Sequence, residues 1–311
     1  MKMGMNHSWH LKHELKRTLQ FFPASFRRYH FQRLLVDRLT AESASSLIEC
    51  SISAGKPYLV GRLGSVESRL VGEYQFKGSR YSRLTLVEAH RNAGIFPTDP
   101  VFLDDVANTL CSSIRAVDLL GIWDSPYQYR LVDQLPRVPT ISDLASLEPW
   151  FSEEPWSRAL CGQRVLVVHP FVETIESQYL KWKHIHPAPP SLLPQFDLIC
   201  VRPPQTLGHD RQGYRSWNDA LNQLIERVSK VSFDVALIGC GAYGLPLGAA
   251  IKQMGKPAVH LGGALQLLFG IRGRRWEAMP RYLPLMNDAW VRPSLNETPP
   301  LAGDVDGGCY W

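Results

Sequence analysis

Three glycines, at 239, 241 and 244, constrain this chain more than any other feature. They close the run FDVALIG, whose apolar residues predict a buried strand. They open onto Leu245–Met254, which predicts a helix. A strand, a G-x-G-x-x-G turn and a helix form the start of a βαβ unit in a parallel sheet. Glycine suits such a turn because it reaches backbone conformations closed to other residues and leaves N–H groups approachable.

The rhythm recurs along the chain. KPYLVG predicts a strand, with a helix starting near Ser65. LLGIWDS, RVLVVHPF, FDLICVR and PAVHLGG predict further strands. Leu84–Ala93, Val101–Val117, Val172–Trp182 and Tyr214–Val228 predict helices. Short aliphatic runs alternating with helices imply an α/β, Rossmann-like fold, a predominantly parallel sheet with helices on both faces. The strands ending near Gly61, His169, Val201, Gly239 and Leu261 are expected in one sheet. Residues 1–55 read as an N-terminal helical segment, 56–292 as the Rossmann-like domain, and 293–311 as an irregular tail. Gln134–Trp156, rich in Pro and Trp, is expected to loop over the surface.

Composition excludes some classes. With 45% hydrophobic residues among 311, the chain can bury a sizeable core. No apolar stretch approaches the roughly 18–20 residues that span a bilayer. MKMGMNHSWHLKHELKRTLQFF lacks the apolar centre of a signal peptide, so a cytoplasmic location is expected. Leu11, Leu15, Leu19, Phe21 and Phe22 among its basic residues fit peripheral contact with an anionic membrane; a solvated helix is the simpler reading. The net charge of +5 is too small and diffuse for a nucleic-acid partner. Six scattered cysteines without a CxxC pair point to reduced thiols and no zinc site. Between Val235 and Trp276 there is no Asp or Glu, but there are Lys252, Lys256, Arg272, Arg274 and Arg275. That stretch is expected to attract an anionic ligand.

The glycine turn has three readings. A dinucleotide site requires an acid about 20 residues on, at the end of the next strand. PAVHLGG offers His260, Gly262 and Gly263 there instead. The second reading is purely structural, a helix packed close to a sheet. The third keeps the phosphate-binding helix start without the dinucleotide, and Tyr243 would then stack on a base or bond a sugar hydroxyl. Gly255-Lys256 lacks the rest of a P-loop, Cys240 lacks the arginine of a phosphatase loop, and no GxSxG occurs.

A second strand-to-helix junction reads Arg62-Leu63-Gly64-Ser65-Val66-Glu67. Ser65 is expected as helix N-cap, with Glu67 in the first turn. Either these residues only satisfy backbone N–H groups, or Glu67 reaches the cleft at the carboxyl end of the sheet.

This junction resembles the GT-D type glycosyltransferases, whose Arg-x-Gly-Asp-x-Glu stretch is implicated in metal and nucleotide-sugar binding. FDVALIGCGAYGLPLGAAIKQMGKPAVHLGGALQLLFGIRGRRW is similar to GT-D-fold proteins encoded among bacterial surface-polysaccharide genes. VLVVHPF and FDLICVRPPQT fit the same pattern, so the likeness covers roughly Pro57 to Trp276. It implies a nucleotide-diphosphate sugar donor, a glycan or glycoconjugate acceptor, and glycosyl transfer. Glu67 is then the first catalytic candidate and the one metal ligand for Mn²⁺ or Mg²⁺, with His169 second in acid–base work. Arg62, Gly64, Ser65, Gly239, Gly241, Tyr243, Gly244, Gly262, Gly263, Gln266, Arg272 and Arg275 would surround the donor. Ser65 replaces the family's Asp, which weakens a metal site; the cations at 272–275 could neutralise the leaving diphosphate instead. Competing readings are a non-catalytic nucleotide-sugar-binding or assembly protein and, behind it, a dinucleotide-dependent oxidoreductase.

Overall fold

Runs of four or five aliphatic residues form the strands, and their burial orders the sheet. The structure is a computed structural model describing residues 38–207, 210–299, 302–305 and 307–311. Residues 1–37, where the basic N-terminal stretch with its expected membrane contact falls, lie outside the described residues.

Seven strands appear in chain order: β1 (Tyr58–Arg62), β2 (Leu119–Ile122), β3 (Thr140–Asp143), β4 (Arg164–Val168), β5 (Asp197–Val201), β6 (Val235–Ile238) and β7 (Pro257–His260). All neighbours are parallel, in the order β3-β2-β1-β7-β6-β4-β5. β6 and β7 are buried along their whole length, whereas β5 at the edge is half-exposed. Continuous apolar runs are needed only where both faces are covered. The expected strands at Gly61, His169, Val201, Gly239 and Leu261 therefore share one sheet. β3 lies inside the stretch expected to be a surface loop. It is a short edge strand with two buried residues, too little apolar pattern to stand out in sequence.

The helices lie on both faces. They are α1 (Ala41–Ser53), α2 (Ser65–Lys77), α3 (Arg83–Ala93), α4 (Pro100–Arg115), α5 (Gln128–Asp133), α6 (Val172–Tyr179), α7 (Trp182–Ile185), α8 (Trp217–Ser229), α9 (Gly244–Gln253), α10 (Leu265–Leu268) and α11 (Arg274–Glu277). α9 packs on β1, β7, α4 and α8. On the other face, Val165, Val167, Val235, Leu237 and Val259 meet Ala44 and Ile48 of α1, Phe171, Ile175, Phe269, Trp276 and Trp290. The compact unit runs from Arg38 to Trp311, so two expected boundaries move. α1 belongs with the sheet, not with an N-terminal segment ending at 55. The residues after 292 fold onto the unit through buried Ala302, Val305 and Cys309.

Topology locates the crevice. The chain leaves β4 outward to β5 but leaves β6 in the opposite direction to β7. Ligands of open α/β sheets bind outside the carboxyl ends where such connections diverge. Register aligns those ends: Val168 pairs with Ile238, Ile238 with His260, and Arg62 with Gly121.

Candidate functional site

The glycine turn sits at this crevice, and its three glycines do different things. A Cβ on Gly239 would lie 2.6 Å from His169 Cδ2 and 2.8 Å from the Gly262 carbonyl oxygen. Gly239 thus lets the turns after β4, β6 and β7 converge. A Cβ on Gly244 would collide with the His260 ring. Gly241 is exposed, has φ +58° and would meet nothing within 4 Å, so its conformation favours glycine and its surroundings are open. It precedes α9, whose N-terminus has no side-chain cap.

Tyr243 does not face this opening. It is buried, stacks on Trp217 with centroids 5.0 Å apart, and its hydroxyl meets Thr206 Oγ1 at 2.6 Å. Thr206 in turn bonds the Gly94 carbonyl at 2.7 Å. The expected base-stacking or sugar-binding role is corrected: an aromatic ring next to a tight turn is taken into the helical layer, where its hydroxyl finds a buried partner.

At the end of β1, Gly64 is the N-cap of α2 and Ser65 is its first helical residue, so the expected cap at Ser65 moves back by one position. Glu67 folds its carboxylate back over the Gly64 α-carbon, into the space a Cβ would fill. This is an N-cap-facing arrangement, as in a capping box, and it leaves Glu67 half-exposed at the carboxyl edge. Arg62, half-buried, lies over Gly262, with Nη1 2.9 Å from that residue's Cβ position. Gly262 has φ +62°.

His169 and His260 are neutral packing groups. His169 is buried and its Nδ1 accepts the Phe171 N–H at 3.0 Å, which puts the neutral ring's proton on Nε2. Burial lowers its pKa to about 3. The expectation that it exchanges protons near neutrality is therefore corrected. His260 is likewise pushed down to about 3, first by burial and then by the Arg62 charge. Its Nδ1 has no hydrogen-bond partner.

One group that sequence reasoning passed over is Glu148. Gly121 pairs with Arg62, and a Cβ on Gly121 would lie 2.5 Å from Leu147 Cδ1. Leu147 therefore seats over the end of β2, and the next residue, Glu148, arrives within electrostatic reach of Arg62. Its carboxylate is buried and accepts from the Tyr282 hydroxyl at 2.9 and 3.2 Å. The buried Trp150 indole N–H points toward the same carboxylate without reaching hydrogen-bond geometry. Burial raises the Glu148 pKa to about 7, against the Tyr282 hydrogen bond and the charges of Arg281 and Arg62. No spacing motif surrounds Glu148. The only sequence signal was an acid amid Trp and Pro, in a segment read as surface.

The second turn is more closed than expected. Tyr310 covers Gly263, and the Arg275 guanidinium lies over the Tyr310 ring at 4.6 Å and bonds its hydroxyl at 3.0 Å. Gln266 is fully buried. Its Nε2 faces the carbonyls of Ile271, Arg272 and Tyr310, so it ties the chain together and does not present itself to a base or sugar. Arg272 donates through Nη2 to the Asn287 carbonyl at 2.7 Å. The expected field of five cations loses Lys252, which pairs with Asp118 at 2.6 Å, beside the start of β2 at the opposite edge. Linear proximity placed these cations in one stretch, but α9 carries Lys252 to the far end of the sheet.

The donor set for a metal is thin. Divalent ions favour several hard anionic oxygens, and at this edge Glu67 offers one carboxylate beside the neutral Ser65 hydroxyl. Among the described residues, no three His, Cys, Asp or Glu side chains form a metal-holding group. These residues alone do not fit a Mn²⁺ or Mg²⁺ ion. No family model matches the chain, and no curated protein or solved structure matches it either.

Proposed function

We propose that the chain is a glycosyltransferase that uses a nucleotide-diphosphate sugar and transfers the sugar to a hydroxyl of a glycan or glycoconjugate. The observation that carries this reading is the position of Arg62. It is a half-buried guanidinium at the carboxyl edge of a parallel sheet, between the turn at Gly262 and the buried Glu148. A diphosphate placed there meets a fixed cation and, at Gly241, the exposed glycine of the turn that leads into α9.

The chemistry assigned to these residues is limited. Arg62 binds the diphosphate and stabilises the charge that grows on it as it leaves. The acceptor hydroxyl attacks the anomeric carbon. The bond from that carbon to the diphosphate oxygen breaks with its electron pair on oxygen. The hydroxyl proton passes to the half-exposed Glu67 carboxylate, the accessible acid at this edge. Glu148 does not meet substrate; it sets the electrostatic surroundings of Arg62.

Two measurements test the reading. Nucleoside diphosphates should raise the melting temperature, because a ligand that binds only the folded state stabilises it, whereas NAD should not. Nucleotide sugars offered with glycan acceptors should release diphosphate. Binding without release would leave a nucleotide-sugar-binding protein. Tight NAD binding with hydride transfer would replace the proposal by an oxidoreductase.

A further inference from the structure

A different surface shows a pattern that the proposed reaction does not use. Along α3, Thr85, Glu88 and Ala89 turn inward and are buried. Leu84 and Val87 turn outward and are 51% and 48% exposed. Arg80, Arg83 and Arg91 are exposed around them, and Arg91 continues the stripe of Leu84 and Val87 at helical spacing. Of the nearby carboxylates, Asp104 accepts the Tyr81 hydroxyl beside Arg80, and two others have cation partners of their own. Glu88 pairs with Arg69 at 2.5 Å, and Glu73 pairs with Lys77 at 3.1 Å while accepting the Ser82 N–H. The outward face is thus aliphatic in the middle and cationic at its rim. The adjoining first turn of α4 exposes Val101 and Phe102 together with Asp99 and Asp105, so the purely cationic face ends there.

We propose that this face of α3 docks on an anionic phospholipid surface. Aliphatic side chains ringed by arginines match the acyl–headgroup boundary, where the aliphatic groups leave water and the guanidiniums meet phosphate. Nucleic acid would match the arginines but leave Leu84 and Val87 without an apolar environment or a base to stack on. In sequence, residues 1–37 are also basic, with Lys2, Lys12, Lys16, Arg17, Arg27, Arg28 and Arg33 against Glu14 and Asp37. The helix ends at Gly94, whose carbonyl takes the Thr206 hydroxyl that also meets Tyr243 in the glycine turn. Docking through α3 would therefore hold the candidate site close to the headgroups.

The test is co-sedimentation of the full chain with vesicles of phosphatidylglycerol and phosphatidylcholine, against vesicles of phosphatidylcholine alone. Binding is expected only with the anionic lipid and should fall steeply at about 0.5 M salt. Leu84→Ser with Val87→Ser, and separately Arg83→Ser with Arg91→Ser, should each weaken it by about tenfold or more. Leu295→Ser, at another exposed leucine, should leave it unchanged. The melting temperature should hold in every variant, because the altered side chains face solvent. The proposal fails if the full chain ignores anionic vesicles or prefers RNA to them. It fails equally if both double variants bind as well as the parent, since the basic first residues would then carry the binding.

Discussion

The Arg62 guanidinium lies across the α-carbon of Gly262, with Nη1 2.9 Å from the position a Cβ would take. The contact joins the end of β1 to the turn after β7, and it exists only because residue 262 has no side chain. Gly262→Ala meets two penalties. The backbone is at φ +62°, where a Cβ costs about 1–2 kcal/mol, and the methyl displaces Arg62. We expect a lower melting temperature and diphosphate binding weakened by about tenfold or more. Arg62→Gln should lose the same affinity and keep the fold. Calorimetry on both variants checks this; undiminished binding in Arg62→Gln would remove Arg62 from the site.

Glu67 and Gly64 make a second such pair, and two substitutions separate capping from chemistry. Glu67→Gln keeps the size and the backbone contact, so stability should change by about 1 kcal/mol or less. Turnover should fall by roughly 100-fold if Glu67 receives the acceptor proton. Gly64→Ala retains the carboxylate but forces it off the space it occupies. It should depress turnover through misplacement alone. A fully active Glu67→Gln enzyme would reduce Glu67 to a cap.

Glu148 predicts a pH dependence of definite sign. Its folded pKa is raised from 4.5 to about 7, so the folded state holds this proton more tightly than the unfolded state. The stability it contributes is present below the unfolded value and is lost as pH rises through 7, by about 3 kcal/mol at most. Above pH 7 its charge also opposes an anion at Arg62. Wild-type diphosphate affinity should therefore fall between pH 6 and 8. Glu148→Gln should flatten that fall and gain stability relative to wild type on the alkaline side. Parallel pH profiles for the two proteins would show the role to be absent.

Tyr243 should behave as packing. Tyr243→Phe keeps the stack on Trp217 and removes the partner of the Thr206 hydroxyl, which still has the Gly94 carbonyl. A loss of about 1 kcal/mol is expected in denaturant unfolding, with diphosphate affinity unchanged. A marked loss of affinity would return Tyr243 to the ligand.

The strands of the central sheet could be read in the sequence because burial on both faces demands unbroken aliphatic runs such as Val235–Ile238, and glycines mark where those runs must turn. The parallel character of the sheet followed from that alternation, and with it the placing of Arg62, Glu67, His169 and Gly241 at carboxyl ends of strands; the order of the strands came only with the tertiary structure. What each side chain meets there was not legible, because the contacts come from distant segments. Glu148 owes its burial and raised pKa to surroundings that include Tyr282, 134 residues away. His169 loses its proton affinity to packing that no local pattern announces. Tyr243, Gln266 and Lys252 looked like ligand groups by adjacency to glycines or to other cations. Tertiary structure turned them instead toward Trp217, the Tyr310 carbonyl and Asp118. Hydrophobic periodicity is a local property and survives in one dimension. Desolvation and charge depend on the whole surrounding volume, and only the folded chain defines that volume.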